Sequence, residues 1–272
     1  MSTFPFVIRC PLSRGAEGNQ GLRRGNLSAI NPVDGTRRWT SSVVPPDSVV
    51  TSADQVRVFG PNVDGNSLAA SFAVWKGTSN ISRGGIALLD AHTGVRRWSH
   101  MLPVSNPAII TIPERAAIGS GAVAVGNWEG FVYCYDELTG NLRWTGVTAY
   151  EANGKPTTNT DIRVVAISGQ VVVAGSGIHG FTGYDLRSGR VLWTSNPPGT
   201  GGVLGIVNAP NGRVLARHAA GQVSLLDAST GRALWIKTAG KDADRISGLR
   251  VAGDTVFGTS IVGGLYAWKL PP

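Results

Sequence analysis

The chain has 272 residues, of which 15% are charged, 42% are hydrophobic and 37 are Gly. That balance excludes a disordered chain, the Gly has no three-residue period, and no apolar run approaches the roughly 18 to 20 residues a bilayer needs. Lys and Arg total 25 against 17 Asp and Glu, a net charge of +8, which favours acidic partners.

The first ten residues lack a basic segment followed by an apolar stretch of about 7 to 15 residues, the mark of a secretory signal. A cytoplasmic location is therefore expected, unless an export signal stood before residue 1. Cys10 and Cys134 form neither a CxxC nor a zinc-ligand spacing. Cys134 alternates with Tyr133 and Tyr135 in an apparent strand, which predicts a buried free thiol.

Five segments then share one frame, ending at Trp39, Trp98, Trp144, Trp193 and Trp235. In each, an Asp or Asn stands eight residues before the Trp (Asn31, Asp90, Asp136, Asp185, Asp227) and a Gly stands four before it (Gly35, Gly94, Gly140, Gly189, Gly231). The residues before the Asp are rich in apolar types and predict a strand. The Asp starts a tight turn by accepting nearby backbone N–H groups, and the Gly supplies a positive φ at the turn's end. A second antiparallel strand returns and ends in the Trp. Five large aromatics at one frame position favour packing between sheets over an exposed ligand platform.

Further strand-like runs precede these hairpins, at 122–125, 162–167, 171–174, 203–207 and 255–258, and no stretch has a helical apolar stripe over three turns. Each unit therefore predicts a four-stranded antiparallel sheet, strands A to D, with the Asp–Gly turn joining C to D. Successive tryptophans lie 59, 46, 49 and 42 residues apart, the spacing of one propeller blade per repeat. The fold expected is an all-β propeller occupying 1–272 as one domain, with six blades, one of them degenerate. After Trp235 the strands run out at Lys269, which stands at the Asp position. Residues 4–10 are then the expected fourth strand of that last blade; the alternative is a chain with more sequence before residue 1.

The Asp-x-x-x-Gly-x-x-x-Trp frame resembles the tryptophan-docking motif of pyrroloquinoline-quinone-like β-propellers over roughly residues 20 to 270. That superfamily includes quinoprotein alcohol dehydrogenases, an outer-membrane assembly lipoprotein and sensor propellers of bacterial kinases. The resemblance implies the fold and is silent about activity. The adjacent cysteine pair of the quinone enzymes has no counterpart in this sequence, nor can their calcium ligands be placed, so no cofactor is expected. GxSxG, HExxH and GxxxxGK[ST] motifs are also lacking; Gly119-Ser-Gly121 and Gly175-Ser-Gly177 read as hairpin turns.

In a propeller the B–C and D–A loops emerge on one face. The B–C connections of three consecutive blades contain Asn127-Trp128-Glu129, Gly177-Ile178-His179 and Arg217-His218. Trp128, Glu129, His179 and His218 are the candidate ligand-binding residues, placing an indole, a carboxylate and two imidazoles around the axial opening. A protein or other macromolecular partner is the favoured function. The alternative is an enzyme or small-ligand binder acting on a polar or anionic molecule at the axial pocket. Arg38, Arg97 and Arg143 precede docking tryptophans and are expected to face solvent, where edge charge discourages sheet-to-sheet association. A nucleic-acid belt would need exposed aromatics between them. A monomer without a membrane span is expected.

Overall fold

The computed structural model describes residues 7–9, 25–46, 54–75, 82–103, 113–147, 149–152, 155–158, 161–178, 180–238 and 246–271. Cys10 and His179 lie outside them. The described residues contain strands and turns and no helix, and accordingly none long and apolar enough to cross a membrane.

Among the described residues, six antiparallel sheets of three to five strands and one two-stranded hairpin follow one another. The first holds β1 (Val7–Arg9), β2 (Asn26–Ile30) and β3 (Arg37–Ser42). The second holds β4 (Gln55–Val58), β5 (Asn62–Asp64), β6 (Ser67–Trp75), β7 (Ser82–Asp90) and β8 (Arg96–Met101), with β4 and β5 both paired to β6. The third runs through β9 (Ala117–Gly119), β10 (Ala122–Gly126), β11 (Phe131–Asp136) and β12 (Leu142–Val147). A hairpin of β13 (Ala149–Ala152) and β14 (Lys155–Thr158) leads to the fourth: β15 (Ile162–Ser168), β16 (Val171–Ser176), β17 (Phe181–Asp185) and β18 (Val191–Ser195). The fifth is β19 (Val203–Ala209), β20 (Arg213–His218), β21 (Gln222–Asp227) and β22 (Ala233–Thr238). The sixth is β23 (Ile246–Ala252), β24 (Thr255–Ser260) and β25 (Leu265–Lys269).

The strands predicted at 122–125, 162–167, 171–174, 203–207 and 255–258 and the five C–D turns are present. The five frame glycines have φ between +71° and +73°, a region where a Cβ costs energy. The frame Asp caps its turn with Oδ1: in the third sheet, Thr139 N and Thr139 Oγ1 both donate to Asp136 Oδ1, at 2.8 and 2.9 Å. In each hairpin the returning strand carries one extra residue, the one just before the Trp (Arg38, Arg97, Arg143, Leu192 and Leu234), which makes a bulge opposite the two residues that precede the Asp. That shift sets every tryptophan opposite the residue two before the Asp: Trp98 faces Leu88 and Trp144 faces Cys134.

The tryptophans join the sheets. The first four frame indoles donate their N–H to the carbonyl of the residue after the next sheet's Asp: Trp39 to Ala91 (3.3 Å), Trp98 to Glu137 (2.9 Å), Trp144 to Leu186 (2.9 Å) and Trp193 to Ala228 (3.1 Å); Trp235 packs instead in the cluster between the last two sheets. Each of these four rings also lies on the next frame glycine, where a Cβ would collide with it. Glycine there serves turn and close approach together. Cys134 is fully buried beside Trp144, and burial pushes its thiol up to about 12.

The N-terminal strand differs from expectation. Val7–Arg9 pairs with Asn26–Ile30 of its own first sheet, Val7 opposite Ile30, and leaves the sixth sheet with three strands. The ladder forms across a connection of 16 residues, whereas pairing with the sixth sheet would close a loop through the whole chain. Loop-closure entropy favours the local ladder.

Candidate axial-mouth site

The first strands of the third, fourth, fifth and sixth sheets, together with residues 59–63, line a cavity of about 1050 Å³. Arg115, Arg163, Arg217 and Arg250 border it with Glu114, Asn62, Asn208 and Ser247. Several of its polar side chains are spent on backbone: Asn208 Nδ2 donates to Ile167 O at 2.8 Å, and Asn62 Nδ2 donates to Ala116 O.

Asn127 builds one rim. Its side chain is buried and its Oδ1 accepts from Phe131 N (3.0 Å), closing the B–C loop of the third sheet. Its carbonyl accepts from Ile162 N (3.0 Å), tying that loop to the fourth sheet. Trp128, at the tip, is 37% exposed. Its indole N–H donates to Glu114 Oε1 (3.2 Å), and the Arg163 guanidinium lies over its ring, 5.1 Å from the centroid. Arg163 is in turn gripped by Asp161, with Nε and Nη2 both 3.0 Å from Oδ2. Burial raises the Glu114 carboxyl above its ordinary value, against the indole bond and Arg163, which lower it. Burial likewise lowers Arg217, which Glu114 partly restores; its Nη1 donates to Ile246 O (3.1 Å).

The other candidates separate. Glu129 is half-buried beside Asn127, whose Nδ2 donates to its Oε2 (3.3 Å). His218 does not face the opening: it ends β20 rather than lying in a loop, and it is 1% exposed. A bulge between Val203 and Gly205 sets Val203 opposite His218, so the strand extends two residues past the apparent loop start. Its Nδ1 lies 3.1 Å from Gly201 O and its Nε2 2.8 Å from Ser224 Oγ. Since a carbonyl only accepts, Nδ1 carries a proton; the serine hydroxyl can donate to Nε2, the arrangement of the neutral ring that burial favours. Burial lowers its pKa, opposed by the Gly201 bond. The Ser224–His218 distance suits a nucleophile and its base, but both groups are buried within the sheet and no carboxylate orients Nδ1. They fasten strand to strand.

Sequence reasoning missed Glu114, Asp161 and Arg163. The signal was available, since all three stand at or just before the A strands that open onto the same face as the B–C loops. It also missed the role of the arginines before the tryptophans. Arg97 reaches Asp90 (3.2 Å) and Arg143 reaches Asp136 (2.7 Å), each across its own hairpin. The Arg143 bond is the main influence holding Asp136 at about 2. Asp90 also falls to about 2, because bonds from Thr93, Arg97 and His92 outweigh its desolvation. No group of three His, Cys, Asp or Glu side chains among the described residues could hold a metal ion.

Sheets of antiparallel strands stacked about an axial cavity, locked by a tryptophan per repeat, define a β-propeller of the pyrroloquinoline-quinone-like repeat class. The family model described as "Outer membrane protein assembly factor BamB" matches residues 20–179 and 180–268, and the chain belongs to that family. Among solved structures it is similar to BamB from Moraxella catarrhalis (14% identity over 91% of this chain and 80% of that one, TM-score 0.55). It is also similar to a chain of the Mitotic Checkpoint Complex (13%, 91% and 71%, 0.61) and to Saccharomyces cerevisiae Sqt1 (14%, 92% and 68%, 0.60). At such identities the likeness is one of fold. No curated protein matches the sequence.

Proposed function

We propose that the chain is a non-catalytic scaffold that binds a protein partner on the face carrying Trp128. The observation that supports this most is the rim itself: a part-exposed indole held at its N–H edge by Glu114 and covered on one face by Arg163, itself clamped by Asp161. Trp and Arg are among the side chains that dominate protein–protein binding energy, and here both are held in place in advance by their neighbours. The exposed Ile178, on the neighbouring B–C loop, extends the apolar area. The family's own description, an assembly factor, is in keeping with a partner-binding role.

Affinity capture with the wild-type chain, Trp128→Ala and Arg163→Ala tests this. A protein retained by wild type should be lost with both variants, while each melts within about 2 °C of wild type, because the rim lies outside the docking frame. The cavity favours a second reading, a polar or anionic small ligand, since four arginines and one glutamate border it. A large thermal shift with one such molecule, and no protein dependent on Trp128, would put that reading first.

A further inference from the structure

One irregularity, repeated from sheet to sheet, shapes the wall of the axial cavity. In the fourth sheet Ile162 pairs with Ser176 and Val164 with Gly175, so Arg163 is an extra residue. In the fifth, Val203 pairs with His218 and Gly205 with Arg217, which leaves Leu204 over. In the sixth, Ile246 pairs with Ser260 and Gly248 with Thr259, which leaves Ser247 over. A bulge re-aims the side chains beside it, and all three extra residues border the cavity.

Glycine makes room there for arginine. Gly205 stands opposite Arg217 in the ladder, and a Cβ on it would strike the Arg217 side chain. Arg217, on the second strand, therefore crosses the bare backbone of the first and reaches the cavity, where its Nη1 donates to Ile246 O of the sixth sheet (3.1 Å). The Arg115 guanidinium rests on Gly60 in the same way. Arg250, exposed on the cavity wall, is held through Nη1 by Leu249 O (2.9 Å). A backbone carbonyl fixes a guanidinium without cancelling its charge, whereas Arg163 spends its charge on Asp161. Glu114 is the one carboxylate among the described residues bordering the cavity, and burial raises it towards its neutral form. Burial and then the nearby Arg115 work against the charge of Arg217, a repulsion that an anion between them would relieve.

We infer that the axial cavity is a binding site for a small organic polyanion, a phosphate ester or a polycarboxylate, gripped by Arg217, Arg115 and Arg250. Guanidinium forks match the paired oxygens of phosphate and carboxylate, and about 1050 Å³ admits a molecule of metabolite size. Arginines seated in advance on glycine and held by carbonyls lose little freedom when the ligand arrives. The site rests on the reading of the cavity as a ligand pocket and does not require a protein at the Trp128 rim.

Isothermal titration calorimetry of the full chain with inorganic pyrophosphate, citrate and neutral sucrose tests this. Pyrophosphate or citrate should bind at one site, and the preference between them separates phosphate from carboxylate ligands. Arg217→Gln should weaken that binding about tenfold or more. Gly205→Ala should weaken it as well with no change in net charge, because the added methyl displaces Arg217. Arg187→Gln, exposed at a C–D turn on the opposite face, removes the same charge and should leave binding unaltered. If Arg217→Gln fails to fold for want of its bond to Ile246, Arg250→Gln carries the same expectation. Absence of binding by both anions, or binding indifferent to the Arg217 and Gly205 changes, overturns the inference. So does a loss with Arg187→Gln equal to that with Arg217→Gln, since net charge alone would then attract the anion. Sucrose bound in place of the anions, and indifferent to Arg217→Gln, would also overturn it while leaving the broader reading of a ligand pocket in place.

Discussion

The strands of the middle sheets and those of the sixth sheet are built from the same residue types and bury them differently. β10, Ala122–Gly126, and β16, Val171–Ser176, are buried at every position. β24, Thr255–Ser260, alternates, and β25, Leu265–Lys269, has exposed residues at every second position. Phe257, in β24, is 39% exposed and Leu265, in β25, 73%. A middle sheet is flanked on both faces, so its strands carry continuous apolar runs; the sixth sheet is flanked on one, and its strands follow the period of two that a half-covered sheet imposes. Stability in such a stack comes from the interfaces between neighbours, and it should fall toward the ends.

The largest test of that gradient is the docking residue itself. Trp144→Ala removes an indole 9% exposed whose N–H is bonded across the interface, and should cost about 3 to 5 kcal/mol in chemical denaturation. Trp39→Ala, at the less buried first interface with a longer bond of 3.3 Å, should cost less. Equal losses would remove the gradient. Next in size are core leucines: Leu225→Ala, fully buried, should cost about 2 to 5 kcal/mol, whereas Leu265→Ala in the sixth sheet should stay within about 0.5 kcal/mol.

Acid should have its largest effect through the turns. Asp90 and Asp136 have carboxyls lowered to about 2 from 3.8, so the stability they contribute is complete above about pH 4 and is lost as pH falls toward 2. Thermal melts across that window should show the loss, and Asp136→Asn should flatten part of it. A smaller effect comes from His218. Its folded pKa lies below the ordinary 6.5, so its contribution is present above pH 6.5 and is lost as pH falls through the folded value. Replacing it with Gln should reduce the dependence of the melting temperature on pH below 6.5. A melting temperature that rises on mild acidification would contradict a buried neutral ring.

The sequence and the structure agree where the determinants are local. Asp136, Gly140 and Trp144 stand within one hairpin, so turn, bulge and indole position follow from nine consecutive residues. They diverge where pairing is settled elsewhere. Val7–Arg9 has too few residues to state which edge it joins, and the short connection to Asn26 decides it. His218 reads as loop because Ala219, Ala220 and Gly221 follow, and only the bulge opposite, at Val203–Gly205, keeps it in the strand. The Trp128 rim was half legible: an indole outside the docking frame was conspicuous, but Glu114, 14 residues away, reaches it through pairing of residues 113–114 with 126–127 in its own sheet, and Arg163, 35 residues away, only through the stacking of the next sheet.

Hydrogen exchange of the indole N–H groups, followed by NMR in the intact chain, tests the stacked architecture most directly. The indoles of Trp98, Trp144 and Trp193, bonded to carbonyls of the next sheet, should exchange slowly and within a narrow range. Trp128, at the rim and 37% exposed, should exchange far faster. Exchange of Trp144 as rapid as that of Trp128 would contradict the docking of one sheet upon the next.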